Sequence, residues 1–276
     1  MEAYKTRDNL RRKIIEVFAA QEEVYQIRLF GKEVEGKHDC YSDIDLIVCS
    51  NDPAKIQARY MDVFGLISPV RATFTLGVTS DGFSEMVMLK DYSPYQKIDF
   101  SIGDLGKEDW PFVVVYENKE KPSVKQTTLN EVHLRQDVVY KLTDILFSIA
   151  RFTKCLFRRD VEMYRRWKSI TDATLVMLYE KYFGWESETF KKKLDPSEAK
   201  CLYENLEVDE KEQTHIIFPP NAKLDLALSY QTSIGMFIEL AEQKADYFGT
   251  ALDFGFIEYI KRFMNSEIDR YRQHNF

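Results

Sequence analysis

Phe30 to Val48 reads FGKEVEGKHDCYSDIDLIV. Its closing run has the alternation of a strand: Ile44, Leu46 and Val48 share one face, and Asp43 and Asp45 share the other. A loop from Gly31 to Tyr41, carrying Gly31 and Gly36, lies just before it. Two carboxylates on one strand face beside a flexible glycine loop suit a divalent cation and a phosphate chain, which points to nucleotidyl transfer. Short D-x-D matches also arise as solvated acids on half-exposed strands. The apolar strand and the two glycines favour the functional reading here.

Such a site needs a third acid. Lys97 to Ile102, KIDFSI, alternates in the same way and sets Asp99 opposite Ile98 and Phe100. Mg²⁺ prefers oxygen ligands and keeps several waters, so a few carboxylates plus substrate phosphate can hold it. Two such ions can clamp the attacking and leaving oxygens of an in-line displacement. Asp99 either completes the metal site or takes the proton of an acceptor hydroxyl; both roles are open on the sequence. The competing structural role is an ion pair with Lys97, on the same face.

The 276 residues suffice for two domains. With 45% hydrophobic and 14% aromatic residues the chain is globular rather than disordered. A formal net charge of −7 argues against general nucleic-acid binding and suits a cationic small molecule. Cys40, Cys49, Cys155 and Cys201 are scattered without zinc-ligand spacing and read as reduced thiols of a cytoplasmic protein. The charged N-terminal stretch reads as neither signal peptide nor membrane span.

Arg7 to Glu22 has helical spacing of Leu10, Ile14, Val17 and Phe18, with Asp8 as the expected N-cap. Strands are expected over Tyr25–Phe30, Ser42–Cys49, Arg71–Thr79, Glu85–Leu89, Lys97–Ile102 and Phe112–Tyr116. A turn is expected at Ser80-Asp81-Gly82. Asp52-Pro53 opens a helix reaching about Phe64. The polar run Glu117 to Thr127 is expected to link this mixed unit, residues 1–124, to an all-helical unit, residues 125–276. Helices there are expected from Leu129 to Phe157, Val161 to Phe183 (stopped by Gly184), Ser197 to Leu206, Leu224 to Phe248 and Ala251 to Tyr271, with a loop through Pro219-Pro220.

The spacing from Gly31 through Gly36 to Ser42-Asp43-Ile44-Asp45 resembles the polymerase-β-type nucleotidyltransferase signature, in which Gly-Ser and a second glycine precede Asp-x-Asp and a third Asp follows on a later strand. Within that superfamily the chain looks most like the streptomycin (aminoglycoside 6-) adenylyltransferase group. The resemblance runs through Met86-Val-Met-Leu-Lys-Asp-Tyr and Lys97-Ile-Asp99, then more loosely through Leu156-Phe-Arg-Arg-Asp and the late helices near Ala241 to Phe263. The lincosamide nucleotidyltransferases share the same plan.

The resemblance implies an α+β fold: a mixed sheet with flanking helices, followed by a helical bundle. It implies Asp43, Asp45 and Asp99 as metal-binding and catalytic residues, Mg²⁺ as cofactor, and ATP or another NTP as co-substrate. The acceptor would be a hydroxyl of a small, cationic molecule, aminoglycoside-like, with neither nucleic acid nor membrane as partner. Gly31, Lys32 and Ser42 would meet the nucleotide. Here the sequence departs from the family: Lys32 replaces the Ser that follows the first glycine, and Glu35 replaces a common Arg before the second. An ammonium can serve phosphate as a point charge. The same departure motivates a second expectation, a non-catalytic nucleotide-binding or antitoxin-like regulatory protein.

Arg151, Lys154, Arg158 and Arg159 cluster near the end of one bundle helix, and Arg165, Arg166 and Lys168 follow in the next. Cations there complement the helix dipole; the functional expectation is that Lys154 and Arg158 reach the triphosphate. Glu85, Glu162, Asp172 and Glu180 are conceivable partners for a cationic acceptor. Trp110, Trp167 and Trp185 read as packing residues. His38, His133, His215 and His274 lack ligand spacing, although His38 lies in the glycine loop.

Overall fold

Ile44, Leu46 and Val48 are buried at the centre of a six-stranded sheet, as their alternation requires. The structure is a computed structural model that describes residues 2–78, 82–103, 111–118, 120, 138–158, 161–183, 222–248 and 252–275. Its contacts divide the chain into two compact units, Met1–Arg135 and Gln136–Phe276. Most of the expected linker lies outside the described residues. So do the tip of the Ser80-Asp81-Gly82 turn, the start of the Leu129 helix, Gly184, the Ser197–Leu206 helix and the Pro219-Pro220 loop.

The first unit runs α1 (Glu2–Ala19), β1 (Val24–Leu29), β2 (Ile44–Ser50), α2 (Pro53–Gly65), β3 (Val70–Val78), β4 (Gly82–Leu89), β5 (Ile98–Gly103) and β6 (Val113–Glu117). The strand order is β3-β4-β5-β2-β1-β6. β2 and β5 pair in parallel, and every other neighbour pairs antiparallel. The parallel pair is joined by a crossover through α2, β3 and β4, as parallel neighbours require.

One face of the sheet is covered by α1 and α2. Leu10, Ile14 and Phe18 of α1 and Ile56, Val63 and Phe64 of α2 pack on Ile44, Leu46, Val48, Ile98, Phe100 and Ile102. Phe18, Phe64 and Phe100 form a ring cluster with centroids 5.0 to 5.2 Å apart, a spacing at which aromatic pairs attract beyond area burial alone. Asp52 caps α2 as anticipated, its carboxylate accepting from the Lys55 amide at 3.1 Å with Pro53 in the first turn. Such a cap contributes about 1 kcal/mol.

Asp8 does not cap α1. The helix begins at Glu2, and Asp8 stands inside it, 3.4 Å from the Arg11 guanidinium and 3.6 Å from that of Arg7. An acid with cations on its own turn has no need of a free helix end, and the capping residue type alone misplaced the start.

The described part of the second unit is helical: α3 (Val138–Phe157), α4 (Val161–Phe183), α5 (Ala222–Phe248) and α6 (Phe254–Asn275). Leu146, Phe147 and Phe152 of α3, Tyr164 of α4, Tyr230 and Phe237 of α5, and Ile260 of α6 are buried. Phe152 stacks on Tyr230. No helix among the described residues is long and apolar enough to cross a membrane.

Candidate active site

The parallel register of β2 and β5 sets Asp45 directly opposite Asp99. Residues paired in register point to the same side of a sheet, and neighbouring strands lie about 4.8 Å apart. One step towards the strand starts, Ile44 pairs Ile98, and the Ile44 amide donates to the Lys97 carbonyl at 3.0 Å. Asp43 and Lys97 therefore complete a square of four charged side chains, on the face away from α1 and α2. Along β2 this face turns apolar, with Ile47 and Cys49 packing with Phe30. The charge is confined to the beginning of the two strands.

Lys97 is buried, and its ammonium lies against Asp99 and 3.4 Å from Asp43. Burial alone would depress its pKa, but Asp99, Asp43 and Asp45 hold it above the ordinary value. The pairing of Lys97 with Asp99 expected as a structural role is thus present. One cation faces three carboxylates, and the excess falls on Asp45: burial, then the charges of Asp43 and Asp99, push its carboxyl up to about 7. As the side chains stand, no group of three or more His, Cys, Asp or Glu is set to hold a metal ion among the described residues.

The raised Asp45 carboxyl has a testable sign. Its folded pKa exceeds the ordinary carboxylate value, so the folded state binds the extra proton. Its contribution to folding is complete in acid and is lost as pH rises through about 7. With divalent cations chelated, the melting midpoint of the wild type is expected to fall relative to Asp45→Asn from about pH 5 to about pH 8. Parallel curves for the two proteins would contradict this charge distribution.

The glycine loop leaves β1 at Phe30, whose amide donates to the Asp45 carbonyl at 3.1 Å. Gly31 adopts φ +59°, and a Cβ there would stand 2.7 Å from Asp45 Oδ2. The backbone thus passes against the carboxylate at a point where only glycine fits. Gly31–Glu33 forms a short 3₁₀ turn. Gly31 and Lys32 are exposed, and their amides donate to no protein acceptor among the described residues. The Lys32 side chain makes no ion pair among them. Ser42 is buried; its hydroxyl donates to Asp39 Oδ1 at 2.8 Å and accepts the Asp39 amide at 3.0 Å, so it braces the loop.

Arg7, Arg11 and Glu33, to which the sequence reading gave no role at the site, hold this loop. Arg7 of α1 is completely buried. Its Nε donates to the Ser42 carbonyl at 2.9 Å and its Nη2 to the Asp43 carbonyl at 2.8 Å, while Nη2 also pairs with Glu33 at 2.5 Å. Arg11 reaches Glu33 from the next turn at 2.6 Å, and His38 Nδ1 lies 3.5 Å from the same carboxylate. Burial alone would raise the Glu33 carboxyl, but Arg7, Arg11 and His38 bring it below its usual value. The signal was present: Arg7 lies on the apolar stripe of Leu10, Ile14 and Phe18, where a cation is out of place unless it has a partner.

The remaining candidates have these surroundings. Glu85 pairs with Phe100 in register and so belongs to the helix-covered face; it is buried and accepts from Thr75 at 3.1 Å. It was one of four conceivable partners for a cationic acceptor, and it lies on the face opposite Asp45 and Asp99. In the second unit, Lys154 is buried on α3, and Arg158 donates to Tyr164 Oη at 3.4 Å. Asp172 is buried, accepting from Ser233 at 2.6 Å and pairing with Lys168. Glu162 and Trp167 lie on α4, and His274 ends α6 with Nδ1 2.8 Å from the Arg270 carbonyl. Among the described residues Cys40, Cys49 and Cys155 form no disulfide. Trp110, Trp185, His133, His215, Arg159 and Cys201, and the side chains of Arg151 and Glu180, lie outside the described residues.

No protein-family model matches the chain. No curated protein matches it. Among solved structures, a protein from Helicobacter pylori described as a "putative nucleotidyltransferase" is 15% identical, with 87% of this chain and 98% of that one covered and a TM-score of 0.27. JHP933 from Helicobacter pylori is 14% identical, over 90% and 98% of the two chains, also with a TM-score of 0.27. Likeness at that level carries no argument, and the functional reading rests on the site itself.

Proposed function

We propose that the protein is a Mg²⁺-dependent nucleotidyltransferase. It would move a nucleoside monophosphate, AMP by resemblance, from an NTP to a hydroxyl of a cationic small molecule of the aminoglycoside kind, releasing pyrophosphate. The observation that carries the reading is the register of Asp45 with Asp99 on adjacent parallel strands, with Asp43 on the same face and Gly31 against Asp45.

The donor set fits a hard divalent cation, and the raised Asp45 carboxyl marks negative charge that a cation would relieve. Asp43 and Asp45 would hold Mg²⁺. When bound, the ion offsets charge developing on the transferred phosphoryl group.

The chain's own residues supply the remainder. The amides of Gly31 and Lys32 and the exposed Lys32 ammonium offer donors and positive charge to a phosphate chain. The acceptor oxygen bonds to the α-phosphorus as the bond from that phosphorus to the bridging oxygen breaks, and pyrophosphate leaves with the electron pair. A carboxylate of the cluster, Asp99 in this reading, takes the hydroxyl proton. Positioning and electrostatics do most of the work in such a displacement.

A second reading, a nucleotide-binding regulatory protein without turnover, is favoured by the ion pairs of Lys97 with Asp99 and Asp43, which fill the place a metal would take. Equilibrium NTP binding with and without Mg²⁺ separates the two. Under the enzymatic reading Mg²⁺ tightens binding, and Asp43→Asn removes that gain. Mg²⁺-independent binding, unchanged in Asp43→Asn, favours the regulatory reading.

A further inference from the structure

Resting on the nucleotide site just proposed, we infer that Arg7 is its positioning residue: one guanidinium fixes the glycine loop and the carboxylate strand to each other through Glu33 and the carbonyls of Ser42 and Asp43.

The geometry is specific to a planar fork. Nε and Nη2 of Arg7 donate to two consecutive carbonyls, at 2.9 and 2.8 Å, at the entry of β2. Nη2 also meets the carboxylate of Glu33, the last residue of the 3₁₀ turn that begins at Gly31. The loop and the strand entry, joined in sequence only through residues 34–41, thus share a single anchor on a helix whose other face-mates are Leu10, Ile14 and Phe18. A lysine would keep the charge but lacks the fork that spans these acceptors. Stability alone would be served as well by an apolar residue at this position of the stripe, since buried ion pairs contribute little net stability. What the arginine adds is the relative placement of the Gly31–Lys32 amides and the Asp43–Asp45 carboxylates. Arg11 and His38 contact the same Glu33 and support the loop side of the anchor.

The test measures Mg²⁺-dependent dissociation constants for ATP, CTP, GTP and UTP with wild type, Arg7→Lys and Glu33→Gln, at a temperature where circular dichroism shows each variant folded. Arg7→Lys is expected to weaken the tightest-bound NTP by about tenfold or more, as loss of an outer-shell partner does. Glu33→Gln should weaken it in the same direction, and Arg7→Lys/Glu33→Gln should lose less than the two single losses multiplied. Wild-type affinity in both folded single variants, with only the melting midpoint lowered, would overturn the inference and leave Arg7 structural. Should Arg7→Lys fail to fold, Glu33→Gln decides the matter by the same affinity criterion. A wild type that binds no NTP would sink the nucleotide site and this inference together, whereas a wild type that binds with unaffected variants would sink this inference alone.

Discussion

Asp45→Asn is expected to lower pyrophosphate release by about a thousandfold or more while leaving the protein folded. Metal-assisted stabilisation of a phosphoryl transition state is worth several kcal/mol, and each 1.4 kcal/mol is roughly a factor of ten in rate. Asp45 is the member of the cluster with Asp43 just before β2, Asp99 opposite it on β5 and Gly31 against its Oδ2. An amide there keeps the shape and removes one ligand charge. At neutral pH the substitution also relieves like-charge repulsion, so stability should be unchanged or higher in the absence of metal. Rate and urea midpoint measured on the same sample check both halves. A variant that loses rate only in proportion to lost folded protein would contradict a catalytic role for this carboxylate.

Gly31→Ala is expected to lower turnover severely, and Gly36→Ala is its internal control. Both glycines have positive φ, +59° and +64°, where a residue with a Cβ costs roughly 1–3 kcal/mol. Only at Gly31 does the added Cβ meet the carboxylate, at 2.7 Å from Asp45 Oδ2, whereas nothing lies within 4 Å at Gly36. Backbone strain is thus common to both, and displacement of Asp45 belongs to Gly31 alone. Denaturant unfolding should show similar losses of about 1–2 kcal/mol for the shared strain. Turnover should fall by about a hundredfold or more for Gly31→Ala, because small misplacements of reacting groups carry large rate costs. Gly36→Ala should stay within a few-fold of wild type. Equal activity in the two variants would contradict the close approach of loop and carboxylate.

The strand alternation of Ile44 to Val48 and of Ile98 to Ile102 was legible because period-two patterning fixes which side chains face the core. It placed Asp43 and Asp45 on one face of their strand, and Asp99 opposite Ile98 and Phe100 on its own, before any partner strand was known. The Asp52-Pro53 helix start was legible for an equally local reason. What alternation does not carry is which strands are neighbours. That Asp45 meets Asp99, and that Lys97 faces Asp43, follows from the parallel pairing of two strands some fifty residues apart. Asp8 misled because a capping residue type says nothing of the tertiary ion pairs that can occupy it. Glu85 misled for a similar reason: its face is decided by pairing with Phe100, and the odd polar residue on a core face looks in sequence like one on an open face. Arg7 was visible as a cation on an apolar stripe, but its partners, Glu33 and two carbonyls, lie far along the chain. Ser42 shows the opposite limit: the residue type suited a ligand contact, while its hydroxyl is engaged with Asp39.

The most direct test of the central claim is pyrophosphate release with Mg²⁺ and each NTP, against a panel of aminoglycosides and lincosamides, with Asp45→Asn alongside. The expected result is release that requires one acceptor class and Mg²⁺ and is lost in the variant. Release equal in wild type and Asp45→Asn, or none with any acceptor from a protein that binds NTP without regard to Mg²⁺, would contradict it.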